Sequence, residues 1–188
     1  MTGSMNEDHA HASGSAVHPL QTPAPGHYRL DPARTTIRFR TRHMFGLGVV
    51  RGAFTLRGGY VDVADSIDDS KVQAVVIADS IDTGRPARDQ LMRSKSYLDV
   101  ARYPDLRFVS HSVEATGSHW IVQGTLYAHG VPVPLRLAVN LIHASAHKVA
   151  FYAGTRVDRY AHGIRSGRFG IAGRRLAIDI TAVAVPAH

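Results

Sequence analysis

Ser80-Ile81-Asp82-Thr83-Gly84, then Arg88-Asp89-Gln90-Leu91 with Arg93-Ser94, and then Tyr103-Pro104-Asp105-Leu106-Arg107-Phe108 form the stretch on which the fold turns. It reads as a strand ending in a glycine turn, a short helix, and a proline that opens the next strand. The helix is predicted near Pro86–Tyr97. Proline is tolerated in a first turn, where its missing N–H costs nothing, and Asp89 sits favourably near the positive helix end. Leu91, Met92 and Ser96 are expected to face inward, and Arg88, Gln90, Arg93 and Lys95 to face water. A second helix is expected around Tyr160–Ser166.

On either side of this stretch the dominant period is two, the period of strands. Ile37, Phe39, Thr41 and His43 alternate with Arg38, Arg40 and Arg42, so the arginine face meets water and the other face is the inside. Val50, Gly52, Phe54 and Leu56 alternate with Arg51 and Arg57, and Leu135, Leu137, Val139 and Leu141 oppose Arg136 and Asn140. Val149, Phe151, Ala153 and Thr155 oppose Arg156, and Leu176, Ile178, Ile180, Ala182 and Ala184 oppose Asp179 and Thr181. Val72–Ser80 is apolar on both faces, and Arg107–Val113 does not decide between them. Turn signals separate the runs at Gly58-Gly59, Ala115-Thr116-Gly117-Ser118, Ala144–His147 and Gly173. One-sided polarity over about eight short strands implies an all-β, closed antiparallel up-and-down β-barrel, wide enough for side chains or one small ligand. A helix over its mouth would act as a lid.

With 188 residues the chain suits one domain able to enclose a cavity. Residues 1–26, rich in Ala, Ser, Gly, Pro and His, are expected to be a disordered N-terminal tail, and residues 27–188 to be the barrel domain. His9, His11 and His18 in that tail lack the fixed geometry of a metal site. There is no cysteine, which excludes disulfides and thiolate chemistry. The net charge is +7, and of 22 cations only three are lysine. The arginines are scattered singly along the strands, as on a solvated exterior, and neither a basic helix nor interleaved aromatics argue for nucleic acid. No stretch reaches the apolar length of a membrane span, and Met5–Gln21 lacks the apolar run of a secretory signal, so a cytoplasmic location is expected.

In order and spacing, the opening motifs resemble the central signature of the YceI-like family. Tyr28-Arg29-Leu30-Asp31-Pro32 matches its first strand, and Phe39, His43-Met44 and Val49-Val50-Arg51-Gly52-Ala53-Phe54 match the next hairpin. Gly124-Thr125-Leu126 with His129-Gly130-Val131, and Arg159 with Gly163-Ile164, match later elements. The likeness spans Gly26 to Val185. The resemblance implies a lipocalin-like barrel that binds a polyisoprenoid, an isoprenoid quinone or a similar long amphiphile in an apolar interior, for carriage, storage or sequestration. It implies no required cofactor beyond that bound lipid, and a homodimer. The chain departs from the family at Gly130-Val131-Pro132-Val133-Pro134, where a Thr–Lys pair is usual, and at Tyr160-Ala161-His162, where Asp-Phe is commoner.

The residues expected to contact ligand are Ile37, Phe39, His43, Phe54, Arg88, Leu91, Met92, Leu126, Leu137, Phe151 and Ile178. Aliphatic and aromatic walls suit a hydrocarbon chain, because burial is worth about 25 cal/mol per Å2. A packed core would use the same residue types, and periodicity does not separate the two; the resemblance implies a hollow barrel. His43 reads either as a polar ligand contact or as a core histidine bonded to a backbone carbonyl. Arg88 meets either a head group or a carboxylate, and Asp89 is expected to be structural. Gly52, Gly84 and Gly124 are expected to serve bends or close approach. No Gly-x-Ser-x-Gly elbow, His-Glu-x-x-His or phosphate-cradling loop is present, so no catalytic or metal-binding residue is assigned. Two alternatives differ in class. One is an enzyme of lipid or polyketide modification using His43 and Arg88; the other is a stress-linked module touching anionic membrane through its basic exterior.

Overall fold

Eight successive stretches with one apolar face can all bury that face if the sheet rolls up on itself, which also removes the unpaired edges of an open sheet. The computed structural model describes residues 22–43, 48–165 and 173–187, with only the backbone of His43. Its strands are β1 (Gly26–Leu30), β2 (Thr36–His43), β3 (Gly48–Val63), β4 (Lys71–Asp82), β5 (Asp105–Thr116), β6 (His119–Ala128), β7 (Val131–Ala144), β8 (Val149–Asp158) and β9 (Arg175–Pro186). One helix, α1 (Pro86–Arg93), follows β4. From β2 to β9 each strand pairs antiparallel with the next, and β9 pairs back onto β2. The result is a closed eight-position barrel.

Nine strands fit eight positions because β1 and β2 lie end to end between β3 and β9. Residues 26–29 of β1 face 60–63 of β3, and residues 37–43 of β2 face 48–54 of the same strand. The break falls at 31–35, where Pro32 has no N–H to give to a ladder. Asp31 accepts from the Ala33 amide at 2.9 Å, and Thr35 Oγ1 accepts from the Val183 amide at 3.2 Å, so side chains repair the seam.

Gly58-Gly59, expected as a turn, lies inside β3 instead. A register shift between Leu56 and Gly58 inserts an extra residue, which moves the inward side chains from even positions (Val50, Phe54, Leu56) to odd ones (Val61, Val63). Glycine is needed at 59 for close approach, since a Cβ there would stand 2.2 Å from the Gln73 carbonyl oxygen. The true turn follows at 64–70 through a 3-10 turn at Ile67–Asp69, closed by the Ala64 amide donating to Ser70 Oγ at 3.0 Å. The two undecided strands also resolve. Val72, Ala74 and Val76 of β4, and Leu106, Phe108 and Val113 of β5, point inward.

The helix stops at Arg93, short of Tyr97. Ser94 Oγ donates back to the Leu91 carbonyl at 2.7 Å while the Ser94 backbone turns extended, which diverts the chain. Ser96 is consequently exposed, not inward, and Tyr97 is buried in its place. The second expected helix is a series of turns at 159–163, ended by left-handed Gly163 (φ 77°); Ser166 lies outside the described residues. The expected tail falls mostly outside them too. Pro23, just before β1, is buried against the barrel interior.

Buried apolar side chains form two clusters. The larger joins Tyr28, Leu30, Leu56, Val63, Trp120 and Val149 with their neighbours in the body and far end of the barrel. The smaller joins Phe39, Val50, Ile81, Met92, Tyr97 and Ile164 beneath α1. Among the described residues no helix is long and apolar enough to cross a membrane.

Candidate functional site

Between the two clusters the barrel is hollow. A cavity of about 310 Å3 runs from Pro23, Ile67 and Ser70 at one end to Arg88, Arg159 and His162 at the other. Along β3 its wall extends from Val50 to Val63. At about 3.3 Å per residue and a tilt of about 40°, that is a tunnel of roughly 30 Å. Its size lies in the range of small-molecule sites, and a wall this apolar stays dry or takes an apolar guest.

The inward registers place most of the expected contacts on this wall. Ile37, Leu137 and Phe151 belong to the larger cluster, Phe39 and Met92 to the smaller, and Phe54 and Ile178 pack against both. These seven, together with Leu126 and Arg88, line the tunnel. Leu91 packs beside Met92 but does not line it. His43 ends β2 opposite Gly48, and its side chain lies outside the described residues. Two glycines on the strands make room for aromatic walls: a Cβ on Gly52 would meet Phe39 at 2.5 Å, and one on Gly124 would meet Phe108 at 2.5 Å.

Arg88 does not face water as the helix pattern suggested. It is half-buried and points into the tunnel mouth. The reason is the glycine turn. Gly84 adopts φ 70°, and its amide donates to Asp82 at 2.7 Å, which folds α1 back across the barrel end. Thr83 then sits under the helix as a hub. Arg88 Nε donates to Thr83 Oγ1 at 2.7 Å and Nη2 to its carbonyl at 2.9 Å. Buried Asp89 accepts from the Thr83 amide at 3.0 Å and from the Thr83 hydroxyl. Asp89 is thus structural, as expected, and Arg88 has no carboxylate within ion-pair distance among the described residues. Arg93 likewise turns toward the barrel, donating to the Asp79 and Ile81 carbonyls at 2.8 and 2.9 Å.

The other side of the mouth is built by the turns after β8. Arg159 is only 6% exposed; its Nη1 donates to the Ile164 carbonyl at 2.8 Å, and its guanidinium lies 5.0 Å from the Tyr160 ring centre. His162 is 2% exposed, with Nδ1 3.0 Å from the Val131 carbonyl, which fixes that nitrogen as the donor. Burial pushes the imidazole below the ordinary histidine range, so it is neutral at neutral pH. The hairpin it reaches is tight: His129 (φ 52°) and Gly130 (φ 73°) form a left-handed two-residue turn.

Thr83, Tyr97, Arg159 and His162 were absent from the expected contacts. All sit in turns, where side-chain direction follows no period. The one available signal for His162 was that Tyr160-Ala161-His162 stands where Asp-Phe is commoner in the resembled family. Chemically, the mouth offers cationic and hydrogen-bonding groups above a hydrocarbon-like shaft. Among the described residues no cluster of three or more metal-ligating side chains exists.

The YceI-like domain model matches residues 28–184. A UPF0312 protein of Vibrio parahaemolyticus is 29% identical over 133 residues, covering 67% of this chain and 70% of the relative. A UPF0312 protein of Yersinia pestis is 34% identical over 117 residues, covering 61% and 60%. Among solved structures, BcnA of Burkholderia cenocepacia superposes with a TM-score of 0.72 at 21% identity, over 83% of this chain and 99% of that one. A polyisoprenoid binding domain from Saccharophagus degradans, implicated in plant cell wall breakdown, gives 0.69 at 17% identity, over 85% and 98%. At these identities the likeness to the solved structures is one of fold.

Proposed function

This chain belongs to the YceI-like domain family, and on that premise we propose that its tunnel binds one long amphiphilic lipid, a polyisoprenoid, isoprenoid quinone or similar chain, for carriage or sequestration. The observation that carries this reading is the apolar shaft of about 310 Å3 with the two arginines of its lining, Arg88 and Arg159, at one end. Each methylene moved from water into such a shaft contributes about 0.8 kcal/mol. Affinity therefore grows with chain length until the shaft is filled. The tail lies toward Trp120 and Val63, and the head stays with Arg88 under α1. The polyisoprenoid binding of the Saccharophagus relative supports the ligand class.

The test is organic extraction of the purified protein followed by mass spectrometry, with titration of labelled polyprenyl lipids into delipidated protein. A long-chain lipid in the extract and saturable one-to-one binding are expected. An empty extract together with no uptake of any chain length would overturn the reading.

A further inference from the structure

We propose that the outer wall formed by β7, β8, β9, β2 and β3 docks on the phosphates of an anionic phospholipid surface. Cross-strand register carries the inference. Arg51 of β3 stands directly opposite Arg40 of β2, Arg40 opposite Ala177 of β9, and Ala177 opposite Arg156 of β8. On β7, Ala138 faces Gly154, which brings Arg136 level with Arg156. Four exposed arginines thus form one row across five strands, interrupted only by an alanine.

Like charges set directly opposite in a sheet repel, so a fold with no use for the row would intersperse carboxylates. Elsewhere on this barrel that is the case: Arg57 holds Asp105 at 2.9 Å, Arg93 holds Asp79 at 2.9 Å, and Arg174 holds Asp158 at 2.7 Å. None of the four row arginines has an ion pair among the described residues. Two acids stand one level from the row on the same wall, and each is already engaged: Asp179, opposite Arg38, accepts from the Tyr152 hydroxyl at 2.6 Å, and Asp158, two residues from Arg156, is held by Arg174.

The chemistry that answers a row of forked cations is a field of phosphates, which arginine engages bidentately. Single-stranded nucleic acid would need aromatic platforms beside the arginines, and among the described residues Tyr152, already bound to Asp179, is the one exposed aromatic on that wall. The row is also well placed. Arg40 and Arg51 lie three residues from the ends of β2 and β3 at the tunnel mouth, about 10 Å along the strand. A wall resting on the bilayer brings the mouth to the source of a water-insoluble ligand, so the docking gains its purpose from the lipid-binding reading.

The experiment is co-sedimentation of the full chain with phosphatidylcholine vesicles, with and without phosphatidylglycerol, at low and high salt. Binding is expected only with phosphatidylglycerol, and salt should release it. Each arginine near such a surface contributes about a fivefold gain in partition, so Arg40→Gln with Arg51→Gln should lower it about 25-fold. Arg40→Lys with Arg51→Lys should retain most of it, and Lys71→Gln with Arg107→Gln, on β4 and β5 outside that wall, should change little. Ala182→Trp, which fills the tunnel, should bind vesicles as the unaltered chain does, so docking and lipid uptake fail separately. Equal partition of the glutamine pair, binding to pure phosphatidylcholine, or displacement from anionic vesicles by an oligonucleotide at matched phosphate would each overturn the proposal.

Discussion

The two ends of the tunnel treat polar groups in opposite ways. At the far end the buried hydroxyls are consumed by the sheet itself: Ser110 Oγ accepts from the Val72 amide at 2.7 Å beside a bulge, and Ser70 Oγ accepts from Ala64 at 3.0 Å before β4. Among the described residues, the one buried side-chain polar atom without a partner is the Trp120 indole N–H, at that same end. At the mouth, by contrast, Arg88 spends Nε and Nη2 on Thr83, and its Nη1 bonds to none of the described residues. A fold that ties its buried hydroxyls into the sheet at one end and sets a cation beside the opening at the other gives its interior a direction. An amphiphile has the same polarity.

Filling the far end should have the largest effect. Ala182→Trp denies the shaft to about four methylenes, worth about 3 kcal/mol, so long-chain lipids should bind about 200-fold more weakly while short ones are spared. Fluorescence titration across a chain-length series measures this; equal affinity for all lengths would mean that the tail never reaches the far half. Next comes the wall against the mouth turn. A Cβ on Gly124 would stand 2.4 Å from the Val109 carbonyl, whereas Gly84 has open space around it and only its φ of 70° to defend. Gly124→Ala should cost about 3 kcal/mol and Gly84→Ala about 1 kcal/mol in urea unfolding.

A smaller effect is expected at the head. Arg88→Met should weaken amphiphiles with an anionic head by about 2 kcal/mol, about 30-fold, and leave neutral-headed ones nearly unchanged. Equal losses for both would reduce Arg88 to packing. The smallest effect is one of pH. Because burial depresses the folded-state pKa of His162, the unfolded chain binds the extra proton first as the pH falls below about 6.5. Stability should therefore decline from that pH down to the folded pKa, and His162→Gln should flatten the decline in thermal melts. A slope of opposite sign would contradict a neutral buried imidazole.

Strands with one charged face were legible because period two has a single physical cause, the pleat. Ile37, Phe39, Leu137, Phe151 and Ile178 line the tunnel as their alternation required. Legibility failed wherever a residue count or a turn broke the period. Gly58-Gly59 looks like a turn but marks a bulge, since glycine serves both purposes and only the Gln73 backbone beside it distinguishes them. Arg88 looks solvent-facing on a helical wheel, because a wheel does not reveal that the glycine turn lays α1 across an opening. His162 carried no periodic signal at all.

Local chemistry along the chain was enough to specify eight wall positions, their inward faces and the helix between β4 and β5, since each depends on neighbours a few residues away. Whether those inward faces meet or enclose space, and which cations come to stand at the opening, depended on ring closure and on residues more than a hundred positions apart, such as Thr41 and the Arg175 carbonyl it bonds at 2.9 Å. Alternation specifies direction; only the completed circumference sets the radius, and the radius makes a cavity.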